Sequence, residues 1–472
     1  MLFNSYVFLF GLFPLILVGY TWLPRRVRIG WLLACSYLFY GWWDWRYCLL
    51  LLLTTCIDYL VGKQIGFLRQ GGGEKGRRNA KGWLGVSVVC DLGLLAFFKY
   101  YDFGAGSINA ISGWLGTGGP LPLLHLVLPV GISFYIFQSM SYSIDIYRGE
   151  AEPAKCFLDF ACYVSMFPQL VAGPIVRWRE MDDQLRNPER CVEWCGAGIV
   201  LFVLGLAKKV LLADGVAPLA DAAFGADAPG GWTAWTGLLA YTLQIYFDFS
   251  GYSDMAVGLG LMLGFRFPQN FDSPYQSRSL TEFWRRWHMS LSGWLRDYLY
   301  IPLGGNRKGA RRTYLNLFLT MLLGGLWHGA NWTFVLWGGY HGLWLALERM
   351  RGKRSCWDRL PAVCQRVATF FAVMGGWLLF RGGTLAGVAR MVRGMFGRNG
   401  WNWQGGIPAT GSHLMVWGML AVGLVLVFGC RNSWKVAWRP GWRLGTGLGV
   451  LAVCCVVAML VNSSSPFLYF QF

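Results

Sequence analysis

The sequence predicts an all-α fold, a polytopic transmembrane helical bundle of roughly ten to twelve membrane segments, some broken or re-entrant. Three observations carry that prediction. Of 472 residues, 55% are apolar and 14% charged, whereas an ordinary soluble domain carries about 25% charged residues. The apolar residues fall in long blocks, and roughly 20 residues of helix cross roughly 30 Å of hydrocarbon. Lysine and arginine gather in the short connections between blocks, the distribution of cytoplasmic loops.

The first block, Phe3 to Trp22, has no basic residues before it and Arg25, Arg26 and Arg28 after it. It reads as a retained span with the chain start outside, not as a cleaved signal. Further blocks run 29–43, 47–62, 82–98, 122–146, 156–174, 195–213 and 232–263, then 314–348, 366–380, 413–430 and 442–461. Several are too short or too polar to span alone and read as tilted, broken or re-entrant segments. Basic connections at 63–81, 177–190, 278–312 and 349–366 are placed on the cytoplasmic side. Gly71 to Gly73 is the most linker-like stretch, but it is too short to separate domains, so 1–472 is expected to be a single integral membrane domain.

A net charge of +18 does not point to nucleic acid, because the cations are dispersed and no soluble segment gathers a basic face with stacking aromatics. Most of the thirteen cysteines lie inside apolar blocks and act as small hydrophobes; no CxxC occurs, Cys191 and Cys195 being the nearest approach. No metal site is expected. The absence of an internal repeat argues against a transporter built from two similar halves. Gly260 and Gly264 form one GxxxG, read as close helix packing.

Titratable groups at membrane depth are costly and tend to be functional. His125 and His413 stand alone in apolar surroundings and read as structural. His328 lies in Leu326-Trp327-His328-Gly329-Ala330-Asn331-Trp332, where helical spacing would place His328, Asn331 and Trp332 on one face. A titratable nitrogen, an amide and an aromatic wall in a dry setting suit a general base acting on a hydroxyl. His288 follows Phe283-Trp284-Arg285-Arg286-Trp287, so that a helix would group Trp284, Trp287, His288 and Leu291. That face is either an interfacial aromatic belt or a second polar contribution to the same site. His341, thirteen residues after His328, would lie roughly 20 Å away on an unbroken helix; a break at Gly338-Gly339 would bring it nearer, to line the acceptor's path. Arg296, Asp297 and Tyr298, then Leu303 to Lys308, form a basic stretch without the spacing of a phosphate-cradling loop. Asp248 and Asp254, in an unusually polar run from Tyr246 to Met255, are expected to brace arginine or tyrosine side chains. GxSxG and HExxH are absent and no GxGxxG follows a strand, which leaves histidine-assisted group transfer.

These residues resemble the membrane-bound O-acyltransferase superfamily, in its bacterial branch that acetylates exopolysaccharides of the alginate type. The resemblance rests on Leu128 to Tyr135, Phe167 to Pro174, Tyr246 to Met255, Phe283 to His288, Trp294 to Asn306, Trp327 to Phe334 and Ser465 to Phe472. It implies that His328 is the catalytic histidine in a tunnel through the membrane, with His288 as the second position. It also implies an acyl thioester donor such as acetyl-CoA, used from the cytoplasmic side near 296–312, and no bound cofactor. Trp327, Trp287, Asn331, Arg296, Asp297, Tyr298 and His341 are then candidates for donor binding or for the tunnel wall. The acceptor would be an exported polysaccharide of alginate or cellulose type, reached with a separate periplasmic acetyltransferase partner, from the bacterial inner membrane and its lipids. The rival readings are a D-alanyl transfer protein of teichoic acid type, a polysaccharide transporter, and a non-catalytic platform of a secretion complex.

Overall fold

The computed structural model describes residues 1–117, 120–352, 354–403, 413–436, 441–461 and 466–468. Ser465 and Tyr469 to Phe472, part of the ending noted above, lie outside the described residues. The described chain is helical, without strands, and forms two compact units. The first comprises Met1–Ile199 with Ala256–Pro268, the second Val200–Met255 with Gln269–Phe472.

Helices of the first unit are α1 (Phe13–Trp22), α2 (Arg25–Gly41), α3 (Arg46–Gly71), α4 (Gly73–Leu95), α5 (Tyr101–Leu115), α6 (Ile132–Arg148), α7 (Phe157–Ser165), α8 (Phe167–Leu170) and α9 (Trp178–Arg186). Helix α10 (Val192–Ala207) starts in this unit and ends in the second. The second unit holds α11 (Asp214–Gly225), most of α12 (Gly231–Leu263), α13 (Leu280–Arg286), α14 (Met289–Leu295), α15 (Gly309–His328), α16 (Trp332–Met350), α17 (Ala362–Arg381), α18 (Leu385–Met395), α19 (His413–Gly429) and α20 (Trp442–Val461).

Five described stretches are long and apolar enough to cross a membrane: 46–71, 73–115, 192–225, 362–381 and 442–461. Shorter apolar helices at 7–22 and 414–429 supplement them, as the broken and tilted segments read from the sequence require. Helix α20 turns its apolar side chains outward, Val453 being 62% and Leu460 69% exposed, the surface that lipid covers. The protein is a multi-pass membrane protein.

Where the sequence suggests a linker, the chain merely breaks one helix and starts the next. Gly72 stands alone between α3 and α4, and Gly73 takes φ +51°, a conformation that costs glycine nothing. In the second unit, α15 and α16 pack as a tight hairpin. A Cβ on Gly338 would come 2.5 Å from the carbonyl oxygen of Met321, and one on Gly342 would come 3.0 Å from the Cα of Phe318. Small residues allow this backbone approach where no water-driven hydrophobic force joins the helices.

Candidate functional site

Short helices α13 and α14 deliver the first histidine. Ser279 caps α13, accepting from the N–H of Glu282 at 3.0 Å. The buried carboxylate of Glu348 accepts from the N–H of Leu280 and of Thr281, each at 2.8 Å, and from the Thr281 hydroxyl. All three leading donors of the helix are thereby satisfied, and a negative charge sits at its positive end.

The chain does not continue as one amphipathic helix through Trp287 and His288, as the spacing suggests. Helix α13 stops at Arg286, Trp287 is extended, and His288 takes φ +44° at the start of α14. A left-handed conformation is unusual for a residue with a Cβ and is held only where its surroundings determine it. Asn270 determines it. Its backbone oxygen accepts from the N–H of Met289 at 2.9 Å, and its Oδ1 accepts from the N–H of Ser290 at 3.3 Å and from the Ser290 hydroxyl at 2.9 Å. The same Oδ1 lies 3.1 Å from Nδ1 of His288. An oxygen that already accepts from a backbone N–H makes Nδ1 the protonated ring nitrogen, which leaves Nε2 as the acceptor of the neutral imidazole.

The second histidine closes α15. His328 is the last residue of that helix, Gly329 is extended, and Asn331 caps α16 by accepting from the N–H of Thr333 at 3.1 Å. His328, Asn331 and Trp332 therefore do not share a helical face. The amide of Asn331 donates to the carbonyl of Gly383 at 2.6 Å, and Trp332 is 51% exposed. The aromatic wall comes from elsewhere: Trp327 and Trp337 at centroid distances of 5.0 Å from His328, and Phe380 at 5.3 Å. His288 stands 6.4 Å from His328, 6.1 Å from Trp327 and 4.7 Å from Phe249. Both histidines are buried.

His341 is reached without any break at Gly338-Gly339, because the hairpin turn falls at 329–331 and α16 runs through unbroken. Its Nδ1 accepts from the indole N–H of Trp284 at 3.3 Å, and its ring packs on Trp337 at 4.9 Å, the same indole that meets His328. Trp287 is buried but faces the aromatic core, 4.8 Å from Trp377, not the histidines.

Beside this cluster is a cavity of about 540 Å³ whose lining includes Trp284, Arg285, Leu291, Arg296, Met321 and Arg349. It is mostly apolar, with three arginines on its wall. Arg296 also pairs in two-pronged fashion with Asp297, at 2.6 and 3.1 Å. Neither Asp297 nor Tyr298 is part of the lining, and Tyr298 packs on Trp294 at 5.1 Å. Neither His288 nor His328 lines the cavity; Trp284 is the shared wall between cavity and cluster.

The carboxylates of α12 brace lysines, where arginine or tyrosine was expected. Lys209 pairs with Asp248 at 2.7 Å and Asp214 at 2.9 Å, and Lys208 with Asp254 at 2.6 Å. The remaining oxygen of Asp248 accepts from the N–H of Leu468 at 2.9 Å, while Lys209 donates to the carbonyl of Pro466 at 3.3 Å. Buried ions are retained when paired and hydrogen-bonded in this way. Asn270, Glu348 and Trp337 are the site residues that sequence reasoning missed. Asn331 carried a legible signal, being a good cap two residues after a glycine; Asn270 carried none, since its partners lie about twenty positions away.

The sequence profile of the membrane-bound O-acyltransferase family matches residues 155–381, a span that contains His288, His328, His341 and the arginine-walled cavity. The chain is 45% identical to a probable alginate O-acetylase of Pseudomonas putida, with 100% of each covered. It is 36% identical to a peptidoglycan O-acetyltransferase of Helicobacter pylori, over 85% of this chain and 80% of that one. It is 26% identical to a teichoic acid D-alanyltransferase of Bacillus subtilis, over 55% of this chain and 70% of that one. With relatives this similar over the full length, and a buried histidine pair inside the matched span, this chain belongs to the membrane-bound O-acyltransferase family and is an O-acyltransferase of the alginate O-acetylase type.

Proposed function

We propose that the protein O-acetylates an exported polysaccharide from the bacterial inner membrane, taking the acetyl group from a cytoplasmic thioester, acetyl-CoA being the simplest donor. The observation that carries this reading is the buried pair His288 and His328, 6.4 Å apart, next to an arginine-walled cavity. An anionic thioester suits that cavity: the apolar lining accepts the thioester arm, and Arg285, Arg296 and Arg349 meet its phosphates.

His328 is the general base. It takes the proton of an acceptor hydroxyl as that oxygen attacks the acetyl carbonyl; the carbon–sulfur bond breaks, and the thiol leaves with the proton. Such a base contributes roughly 10² to 10⁴ in rate. His288, fixed by Asn270 with Nε2 as acceptor, positions a hydroxyl or an N–H donor beside it. Asn331 is spent on its cap and on Gly383, so it is assigned no role on the reacting atoms. His341 and Trp327 shape the aromatic wall. A periplasmic acetyltransferase completes delivery to the polymer.

The relatives that transfer D-alanine to teichoic acid favour a second reading, in which the acyl group is aminoacyl. The test is the acyl-ester content of the cell's exopolysaccharide by NMR, in a deletion strain carrying wild type or His328→Ala at matched membrane levels. Acetyl esters with wild type and none with the variant support the reading. Unchanged esters in the variant remove the general-base role and favour a non-catalytic platform, and D-alanyl esters replace acetyl as the group transferred.

A further inference from the structure

The first unit contains a second buried polar site, made without histidine. Asp58 of α3 and Asp91 of α4 are 0% and 1% exposed, on helices long and apolar enough to span a membrane. Their carboxyl groups lie within hydrogen-bonding reach of one another. Oδ1 of Asp58 accepts from the Ser87 hydroxyl at 2.8 Å, and Ser87 lies 3.1 Å from the hydroxyl of Ser143 on α6. Oδ2 of each aspartate, in contrast, has no hydrogen-bond donor among the described residues, and no lysine or arginine among them pairs with either.

The surroundings are also polar and unsatisfied. The hydroxyls of Tyr135 on α6 and of Tyr37 and Tyr40 on α2 are buried without a partner among the described residues. Tyr135 is close enough to Asp91, Tyr37 and Tyr40 to interact with them electrostatically. Tyr142 faces Asp58 while accepting from the N–H of Ala154 at 3.1 Å, and Cys90 neighbours Asp91. None of these groups is a cation.

Carboxylate oxygens only accept, so two of them attract one another only when a proton lies between. Two uncompensated negative charges at membrane depth are costly, and buried polar atoms without partners call for a ligand, a water or an ion. We propose that Asp58 and Asp91 form a proton-binding site inside the membrane, one proton held between the two carboxyl groups and the tyrosine hydroxyls forming its polar wall. One aspartate is the acid, donating its O–H to Oδ2 of the other. The site lies outside the acyl-transfer chemistry, since a hydroxyl and a thioester give an ester and a thiol with no net proton released. It is a proton-dependent latch joining α3 to α4.

The test is infrared spectroscopy of the full chain in lipid nanodiscs at neutral pH, in sodium-free buffer, in light and heavy water. The expected result is a carbonyl stretch of a protonated carboxylic acid that shifts down in heavy water and is absent from the Asp58→Asn, Asp91→Asn double variant. Absence of the band in folded wild type, or its persistence in the double variant, would overturn the proposal. Loss of the band on adding sodium would replace the proton with a metal cation. Should the double variant not fold, Asp58→Asn and Asp58→Ala are compared by thermal melting. The asparagine amide supplies the missing donor, so that variant melts with wild type and the alanine variant lower; equal losses in both would sink the shared proton.

Discussion

A single side-chain oxygen, Oδ1 of Asn270, holds both the backbone turn and the ring of His288, lying 3.1 Å from the imidazole while accepting from Ser290 at 2.9 and 3.3 Å. A residue eighteen positions away in the chain thus fixes both the orientation and the tautomer of the histidine ring. Loop position and ring chemistry are set together.

Asn270→Ala removes that acceptor while leaving the backbone contact to Met289. Buried donors left unpaired cost about 1–3 kcal/mol, so the variant is expected to melt several degrees lower yet still insert. Acetyl transfer is expected to fall about 10- to 100-fold from misplacement of the ring. Ester content per unit of membrane protein, read beside a thermal melt, checks both.

His288→Gly separates strain from function. The left-handed backbone at φ +44° costs a non-glycine residue on the order of 1–3 kcal/mol, which glycine recovers, against the packing lost with the ring. The variant is expected to keep wild-type stability within about 1 kcal/mol and to lose transfer. A variant that unfolds would contradict this account of the turn, and one that stays active would show that the ring is dispensable.

Glu348→Gln keeps the shape of the side chain and removes its charge. One of the two oxygens receiving Leu280, Thr281 and its hydroxyl becomes an amide that faces donors. A loss of about 1–3 kcal/mol follows, and because α13 carries Trp284 and Arg285 to the cavity wall, KM for the thioester is expected to rise more than kcat falls. Steady-state kinetics with varied thioester distinguish this from a purely structural loss, which would lower only the amount of folded enzyme.

Gly338→Ala tests the hairpin. The new methyl would meet the carbonyl of Met321 at 2.5 Å, so α15 and α16 must part, at a cost of about 1–3 kcal/mol. His328 and Trp337 ride on opposite arms of that hairpin, so activity is expected to fall with stability. Gly339→Ala, whose added methyl would meet only side-chain atoms at 3.9–4.0 Å, is the matched control and is expected to behave as wild type.

The membrane class was legible from composition alone, whereas the nearness of His288 to His328 was legible only as one of two readings of an aromatic face, the other being an interfacial belt beside Arg285 and Arg286. The helix breaks between them were less so. Periodicity carries a helix through Trp287-His288 and through Gly329 to Asn331, since neither proline nor a polar run interrupts the pattern; only the glycine and the capping asparagine mark the second break. Asn270, Glu348 and the lysine partners of α12 were not legible because their meaning is tertiary: each satisfies a group that is distant in sequence. Lysine took the place expected of arginine because Lys208 and Lys209 point ammonium groups at separate carboxylates, a task for point charges and not for a planar fork.

The contacts of residues 466–468 with Asp248 and Lys209 bear on biosynthesis. A charge pair in the interior of the second unit is completed by backbone that leaves the ribosome after α19 and α20. Until then Asp248 lacks one donor and Lys209 one acceptor, although the helices that carry them were made more than two hundred residues earlier. The second unit therefore reaches its final hydrogen-bonded state only after residues 466–468, which follow α19 and α20, have been made.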